Sequence, residues 1–567
     1  MNKNLHRVVF NPCRGLLMVV AEIASSPRKS HPGASTPARS TGLPCATRLS
    51  ALCTALACAW GLAAVMPALA QVVADPSAAG NQRATILRTG NGITQVNIQT
   101  PSAAGVSRNV YSQFDVQAQG VVLNNSSTSA QTQLGGWIAA NPSLSAGSAR
   151  VILNEVNATR PSQLHGFVEV GGQRAEVVIA NPAGIQVNGG GFINASGVTL
   201  TTGTPVMNGG QLESYRVSGG QVSIQGAGLD TRDADYTHIL ARAVQLNAGL
   251  WAKELRVVTG ANQLNAAQPT LAPVPIAASS SESKPAFALD VAALGGMYAG
   301  QIFLVGTEAG LGVNNRGTLG ASAGDVVVQA NGWITNSAEI RASGNVDLRA
   351  SGQAPDSGVA HGIRNNGTVY AAGNTTLRAE GEIDNQDSGQ LLAAQTTQLQ
   401  AGSVINRGLI DGAITRLQTS ADAATGQVSN VGTGRLYGDL LSIQTAALVN
   451  APQTVAGVTS APVIAARQRL DLGLQTLDNS DHAVIFSAGD LAIGGQLDGS
   501  AKAVGRASTV RNGSATVEAQ GQLSIAANNI LNINDHFAYS VQLVGTQYGI
   551  RQDLTSPLII KKKNKIK

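Results

Sequence analysis

Four short motifs contain residue types that can do chemistry. Residues 320–324 read GASAG and match G-x-S-x-G, the pattern of a nucleophilic serine on a strand-to-helix turn. Residues 226–230 read GAGLD and are similar to a fragment of a calcium-binding nonapeptide. Asp481-His482 and Asp535-His536 are neighbouring pairs of the kind used in metal binding or general-base catalysis.

Each of these motifs lacks the surroundings that its chemistry needs. A nucleophile elbow requires an α/β domain, whereas residues 320–324 lie within a β-rich repeat. Calcium nonapeptides occur in tandem copies, and the GAGLD fragment occurs once. The Asp–His pairs have no convergent partners that the sequence identifies. We therefore predict no enzyme activity, no catalytic residues, no cofactor and no metal site.

Cysteines and positive charges are concentrated at the N-terminus. All four cysteines lie in the first 70 residues, at positions 13, 45, 53 and 58. Those 70 residues carry seven basic side chains against Glu22 alone, although the whole chain has a net charge of only +5. Residues 71–567 carry 31 basic and 32 acidic side chains, which argues against a nucleic-acid partner.

The N-terminal 70 residues predict a two-part leader. Residues 48–70 contain a basic flank, a short apolar run and the small-residue site ALA, the features of a secretory signal. We predict cleavage between Ala70 and Gln71. Residues 1–24 add a second basic and apolar block. Its stretches MNKN, RVVFN and LMVVAE resemble the extended signal peptides of very large exported proteins, which implies slower targeting to the inner membrane.

The elements that must position any site are β-strands. The chain is 43% hydrophobic but only 4% aromatic, and it has 65 glycines, a composition that disfavours a helical bundle. Short alternating segments such as DVVVQ at 325–329 and NVDLR at 345–349 are separated by Gly, Asn or Ser.

A repeat of the form apolar-any-Asn dominates the second half of the chain. Five of its nine intervals are 20 or 21 residues long, and the others are 24 to 33 residues. The repeated asparagines are Asn315, Asn336, Asn365, Asn385, Asn406, Asn430, Asn450, Asn479, Asn512 and Asn532.

This period predicts an all-β fold, a right-handed parallel β-helix with coils of ~20 residues. Leucine-rich repeats have similar periods, but their L-x-x-L-x-L frame is missing. We expect the asparagines at corners, where a positive φ or a bond from side chain to backbone is needed. At one strand spacing per coil, residues 315–532 would form a rod segment of roughly 50 Å.

Two Asn-Pro turns mark the β-rich segment between residues 71 and 262. The first is NPSL, with Asn141, Pro142 and Leu144. The second is NPAGI, with Asn181, Pro182, Gly184 and Ile185, and VNGGGFINASGVTLTTG follows it at residues 187–203. An Asn-Pro dipeptide alone begins turns in any β protein.

Together with this context, the two turns resemble the secretion domain of two-partner-secretion exoproteins of the filamentous haemagglutinin family. That family has NPNL and NPNGI at these places, where this chain has Ser143 and Ala183. The resemblance continues through residues 288–320 and covers most of the chain to about residue 537. It implies export through a dedicated outer-membrane transporter with periplasmic modules and a β-barrel. The motif residues would shape the domain that this transporter recognises.

The organisation predicted from these observations has five segments. An extended signal peptide (1–70) precedes a capped secretion domain (71–262), a Pro/Ser-rich insertion or linker (263–287), β-helical haemagglutinin repeats (288–537) and an irregular tail (538–567). Because family members are usually far longer, we interpret this tail as the sign of a truncated or frameshifted product.

The resemblance leaves three functions open. The first is a secreted or surface-held adhesin that contacts a receptor on a host or neighbouring cell, with carbohydrate as one candidate ligand. The second is the N-terminal delivery portion of a contact-dependent growth inhibition toxin without its effector. The third is a haemolysin-type or cytolysin-type exoprotein.

Overall fold

The computed structural model describes residues 6–11, 16–21, 72–280, 282–352, 361–419, 426–543 and 550–554. The chain forms two compact units, Met1–Leu69 and Ala70–Lys567. In the first unit, strands His6–Asn11 and Leu16–Ala21 pair in an antiparallel hairpin. The signal segment and its cleavage site between Ala70 and Gln71 lie outside the described residues.

The second unit is a parallel β-helix with three faces. Each strand pairs in parallel with the strand one coil earlier and the strand one coil later, as Val313–Asn315 does with Leu289–Val291 and Ile334–Asn336. Alternation in sequence produces this arrangement, because successive side chains of a strand point to opposite sides. The strand Val326–Ala330 shows it by burying Val326, Val328 and Ala330. The predicted parallel β-helix is confirmed.

Long runs of short strands form the three faces. The first face consists of Val106–Phe114, Val151–Val156, Ala175–Ala180, Ala195–Thr201, Thr237–Ala241, Glu254–Thr259, Gln301–Gly306, Val326–Ala330, Val346–Ala350, Thr375–Ala379, Thr396–Ala401, Ile414–Thr419, Asp490–Gly494 and Leu523–Ile525. The second face consists of Ser162–Leu164, Ile185–Val187, Gln221–Ile224, Ala243–Leu246, Leu289–Val291, Val313–Asn315, Ile334–Asn336, His361–Asn365, Glu382–Asn385, Ser403–Asn406, Gln427–Val431, Ala507–Gly513 and Ala527–Ile533.

The third face consists of Thr94–Asn97, Val121–Asn125, Phe167–Gly172, Gly190–Ile193, Leu229–Asp230, Gly249–Trp251, Gly296–Ala299, Thr318–Ala321, Glu339–Ala342, Thr368–Ala371, Gln390–Ala393, Leu409–Asp411, Val484–Ser487 and Thr516–Ala519. Two long strands, Arg435–Ala451 and Val463–Ser480, pass through all three faces.

Antiparallel elements surround the β-helix. At its N-terminal end Val72–Ala74 pairs with Val106–Phe114, and Thr85–Arg88 pairs with Thr94–Asn97. The described residues also form the hairpins Ala130–Thr132/Gly136–Ile138, Gln453–Val455/Val458–Ser460, Gln496–Leu497/Ala503–Val504 and Tyr539–Leu543/Ile550–Leu554, and the 3-10 turns Gly80–Gln82 and Pro142–Leu144.

A four-stranded antiparallel sheet covers part of the first face. Its strands are Thr204–Asn208, Gln211–Val217, Asn262–Asn265 and Val274–Pro275. Tyr215, Val217 and Leu264 from this sheet pack on outward-facing residues of the first face, including Leu153 and Val178. The segment expected as an insertion or linker therefore contributes to a packed sheet.

The β-helix continues on both sides of that segment. Strand Ala243–Leu246 pairs directly with Leu289–Val291, and Glu254–Thr259 pairs with Gln301–Gly306. One core of buried side chains runs from Val72 to Ala527. Full burial of a Val, Leu or Ile side chain contributes about 1.5–3 kcal/mol, so this core is the main source of stability. The domain boundaries given above stay predictions.

Candidate functional site

The first Asn-Pro motif is a buried capped turn. The Asn141 side chain accepts a hydrogen bond from the backbone N–H of Ser143 at 3.0 Å and caps the 3-10 turn Pro142–Leu144. Its amide group donates to the carbonyl oxygens of Ile98 at 2.9 Å and Asn124 at 3.0 Å. Asn141 therefore joins the turn to two strand ends of the N-terminal coils.

The second Asn-Pro motif uses the same bonding scheme. The Asn181 side chain accepts from the backbone N–H of Ala183 at 3.0 Å and donates to the Arg160 carbonyl and the Ser162 hydroxyl. Gly184 has a φ of +116°, and a Cβ there would lie 2.9 Å from the carbonyl oxygen of Gln221. Only glycine fits this position without strain.

Both turns accommodate Ser143 and Ala183, which stand where the motifs NPNL and NPNGI have their second asparagine. At positions 143 and 183 the atom that binds the asparagine is the backbone nitrogen, which every residue except proline offers. The apolar residues at the ends of the two motifs, Leu144 and Ile185, are fully buried in the core. Trp137, four residues before Asn141, is 71% exposed. The sequence marks this tryptophan only as a large aromatic residue beside a turn motif.

The ten repeated asparagines form one continuous ladder along the second face. In every neighbouring pair, the amide nitrogen of one asparagine donates to the side-chain oxygen of the next. All nine bonds are 2.8 or 2.9 Å long and run from Asn315 to Asn532. The eight asparagines from Asn315 to Asn479 are fully buried.

The same side chains also satisfy backbone groups at the bends. Asn365, for example, donates to the carbonyl oxygens of Gly367 at 3.0 Å and Gln390 at 3.3 Å. None of the ten asparagines has a positive φ. Of the two expected reasons for asparagine at these positions, hydrogen bonding applies and a left-handed backbone does not.

The residues considered for catalysis lie apart in the fold. Residues 320–324 begin at the end of strand Thr318–Ala321 and lead into Val326–Ala330, so their serine, Ser322, lies between two β-strands. Asp230 of the GAGLD motif forms an ion pair with Arg232 at 2.6 Å. No group of three or more His, Cys, Asp or Glu side chains within the described ranges is placed to hold a metal ion.

The structure brings together one member of each Asp–His pair. His536 Nε2 lies 2.9 Å from Asp481 Oδ1, a contact between residues 55 apart. Asp481 and His482 both have positive φ values, of 45° and 67°. The pair is exposed, with 64% of the His536 side chain accessible, and it links the last coils of the β-helix.

Two titratable groups with shifted pKa values, His238 and Glu176, are buried on the first face. Burial, with a contribution from Arg256, lowers the pKa of His238 to about 4. Burial raises the pKa of Glu176, which accepts a hydrogen bond from Thr199 at 3.0 Å. The His238 ring stacks on Tyr236 at 4.6 Å. These groups support packing, because His238 is only 6% exposed and a substrate cannot reach it.

No helix in the described part of the chain is long and apolar enough to span a membrane. Residues 1–51 match the family of the extended signal peptide of the type V secretion system. Residues 70–336 match the TPS secretion domain family, and this segment includes both Asn-Pro turns and the first two asparagines of the ladder.

Relatives with known names share long segments with this chain. A protein named Toxin CdiA from Yersinia pestis is 50% identical over 368 residues, which is 64% of this chain and 11% of that protein. A tRNA nuclease CdiA-2 from Burkholderia pseudomallei (strain 1026b) is 48% identical over 60% of this chain and 11% of its own length. The chain thus spans about a tenth of the length of these relatives.

A solved structure, the filamentous hemagglutinin secretion domain, is 28% identical and aligns with a TM-score of 0.40 over 62% of this chain and 97% of its own. The matched families are a signal peptide and a secretion domain, neither of which is an enzymatic family. Together they indicate export and secretion through the outer membrane to the cell surface, as predicted, and imply an outer-membrane transporter as partner. The chain therefore carries the extended signal peptide and the secretion domain of the two-partner-secretion exoproteins, the family that its Asn-Pro motifs predicted.

Proposed function

We propose that this chain is the N-terminal export and presentation segment of a contact-dependent toxin. In this role, residues 70–336 engage the transporter, and the β-helix that follows holds an effector away from the producing cell. The observation that carries the proposal is the identity of about one half to relatives named as toxin and tRNA nuclease over three fifths of the chain. We place the nuclease activity of those relatives outside the segment that they share with this chain.

The geometry suits such a stalk. Consecutive coils share a core and an asparagine ladder, so each coil is supported by the coil before it. A chain that is exported from its N-terminus can therefore fold coil by coil on the far side of the membrane. Folding there opposes backward movement through the transporter, which gives export a direction.

Adhesion is the second candidate, and a specific observation favours it. The third face carries exposed aromatic side chains that lie outside the core, including Tyr298, which is 41% exposed. Exposed aromatic patches on secreted proteins commonly mark binding surfaces. In this alternative the β-helix itself contacts the receptor.

The export claim is tested by measuring the amount of the chain in the medium of a Gram-negative host with and without a partner transporter. Asn181→Ala removes the three bonds that hold the second turn, and we expect export to fall at least about tenfold because the recognised domain is misshaped. Asn208→Ala is the matched control, since Asn208 is an exposed asparagine at the end of a strand.

Export that does not depend on the transporter, or that Asn181→Ala leaves unchanged, would contradict the assigned role of this turn. The contact role is tested with beads that carry the exported chain. Binding to cells of related bacteria supports toxin delivery, and binding to animal cells supports adhesion. Beads that bind neither cell type would overturn both proposals.

A further inference from the structure

Asn-Gly dipeptides are the places where an asparagine side chain loses its amide most readily. The backbone nitrogen of the following residue attacks the side-chain carbon, and a glycine there hinders the attack least. The chain has six of these dipeptides, beginning at Asn91, Asn188, Asn208, Asn331, Asn366 and Asn512. The tertiary structure decides which of them can react, because ring closure needs a side chain that can rotate and a free backbone N–H.

Hydrogen bonds hold the asparagine side chains of three dipeptides in the repeat region. The Asn331 amide donates to the carbonyl oxygen of Thr307 at 3.0 Å, and the Asn366 side chain accepts from the Ser388 hydroxyl at 2.6 Å. Asn512 belongs to the asparagine ladder, where its side chain both accepts and donates. Each of these side chains must break a bond before it can turn toward the backbone.

Two further dipeptides are protected at both reacting groups. The Asn91 side chain donates to a backbone carbonyl oxygen, and the Asn188 side chain accepts from a backbone N–H. The attacking nitrogens are also engaged, since the N–H groups of Gly92 and Gly189 each donate to a backbone carbonyl oxygen at 2.9 Å. Both dipeptides are therefore fixed in a geometry that cannot close the ring.

Asn208 differs from the other five asparagines. It is exposed and ends the strand Thr204–Asn208, at the turn that leads into Gln211–Val217. Within the described ranges, neither its side chain nor the Gly209 N–H has a hydrogen-bond partner. A Cβ at Gly209 would meet no atom within 4 Å, so the attacking nitrogen is open to approach. Gly209 and Gly210 have φ values of +57° and +84°, so two residues without side chains form the turn.

We propose that Asn208-Gly209 is a self-modification site of the folded chain. The Gly209 nitrogen forms a bond to Cγ of Asn208, the bond from Cγ to the amide nitrogen breaks, and ammonia leaves with the proton of the Gly209 N–H. Water then opens the cyclic imide at one of its two carbonyl carbons, which yields aspartate or isoaspartate. Water is the co-reactant, and no electrons are transferred.

The reaction changes the hairpin in charge and in length. Both products replace a neutral amide with a carboxylate, and isoaspartate also lengthens the main chain by one carbon. The Gly210 carbonyl oxygen accepts a hydrogen bond from the Ser102 hydroxyl at 2.7 Å, so a longer turn disturbs the contact between the hairpin and the segment before Val106–Phe114. The inference goes beyond export and toxin delivery and does not depend on either.

The test incubates the purified folded chain in mildly alkaline buffer and follows all six dipeptides by peptide mapping with mass spectrometry. We expect Asn208 to convert at least about tenfold faster than each of the other five, because those must first break hydrogen bonds. Labelling with an isoaspartate-specific methyltransferase identifies the isoaspartate product. In concentrated guanidinium chloride, where the protecting bonds are lost, the six rates should agree within about threefold.

Two variants separate this site from the others. Asn208→Gln keeps a carboxamide but must close a larger ring, which is much slower, so the early release of ammonia should disappear. Asn366→Gln is the matched control, because it removes a protected Asn-Gly dipeptide and should leave that early release unchanged. Equal rates at Asn208 and Asn366 in the folded chain, the same lead of Asn208 in guanidinium chloride, or undiminished ammonia release by Asn208→Gln would each overturn the proposal.

Discussion

An asparagine carboxamide can accept from one neighbour and donate to the next, so identical asparagines can form a chain of hydrogen bonds between stacked coils. In the ladder of this protein the donors all point from the N-terminal to the C-terminal end. Together with backbone carbonyl groups at the bends, the ladder satisfies the buried amides without any charge.

Asn365 provides a direct measure of what the ladder contributes. Asn365→Ala removes the acceptor of Asn336 and the donor to Asn385, which leaves buried polar groups without those partners. We expect a loss of ~2–3 kcal/mol in the free energy of unfolding, measured by denaturant titration.

The adjacent residue supplies the control. Asn366 is exposed, and its side chain accepts only from the Ser388 hydroxyl in the described part of the chain. Asn366→Ala should change the free energy of unfolding by less than about 0.5 kcal/mol. Equal losses for the two variants would show that the ladder does not stabilise the coils.

At the scale of the element, coil stacking requires glycine for reasons other than its backbone freedom. Most glycines of the repeat region have ordinary negative φ values. A Cβ on Gly408 would collide with the carbonyl oxygen of Gly389 one coil earlier. The close contact between bends of neighbouring coils therefore excludes a side chain at this position.

Gly408→Ala tests this constraint. The extra methyl group must push apart two coils that share hydrogen bonds, so we expect a loss of about 1–3 kcal/mol in unfolding free energy. Gly499→Ala is the control, because a Cβ at Gly499 meets no atom within 4 Å. A thermal melt of both variants decides the matter, and unchanged stability of Gly408→Ala would show that the bend can widen freely.

At the scale of the whole molecule, the coils before residue 262 and the coils after residue 288 share one solenoid. The pairing of Ala243–Leu246 with Leu289–Val291 joins them without a break, and the segment between them folds back onto the first face. Stability in such a solenoid arises mainly between nearest neighbours.

A local defect should therefore have local consequences. We expect Asn365→Ala to speed amide hydrogen exchange in the neighbouring strands Ile334–Asn336 and Glu382–Asn385. The distant strands Val151–Val156 and Ala175–Ala180 should keep the exchange rates of the parent chain. Hydrogen-exchange mass spectrometry measures both regions in one experiment, and faster exchange throughout would indicate one cooperative unit.

Much of the architecture was predictable because it depends on patterns among residues that are close in sequence. Alternation of apolar residues predicted strands such as Val326–Ala330, and the spacing of the asparagines predicted coils of one solenoid. The Asn-Pro pairs predicted turns that depend on bonds within two residues. These features need no knowledge of distant contacts.

The tertiary structure alone decided which residues meet across coils. Loops of different length separate the coils, so sequence spacing does not reveal that Trp251 lies beside Tyr298 or that Asp481 contacts His536. The fold of residues 262–275 onto the first face likewise depends on apolar residues far apart in sequence. The physical reason is that strand period and turn chemistry are set by neighbouring residues, whereas register between coils is set by burial and pairing summed over the whole solenoid.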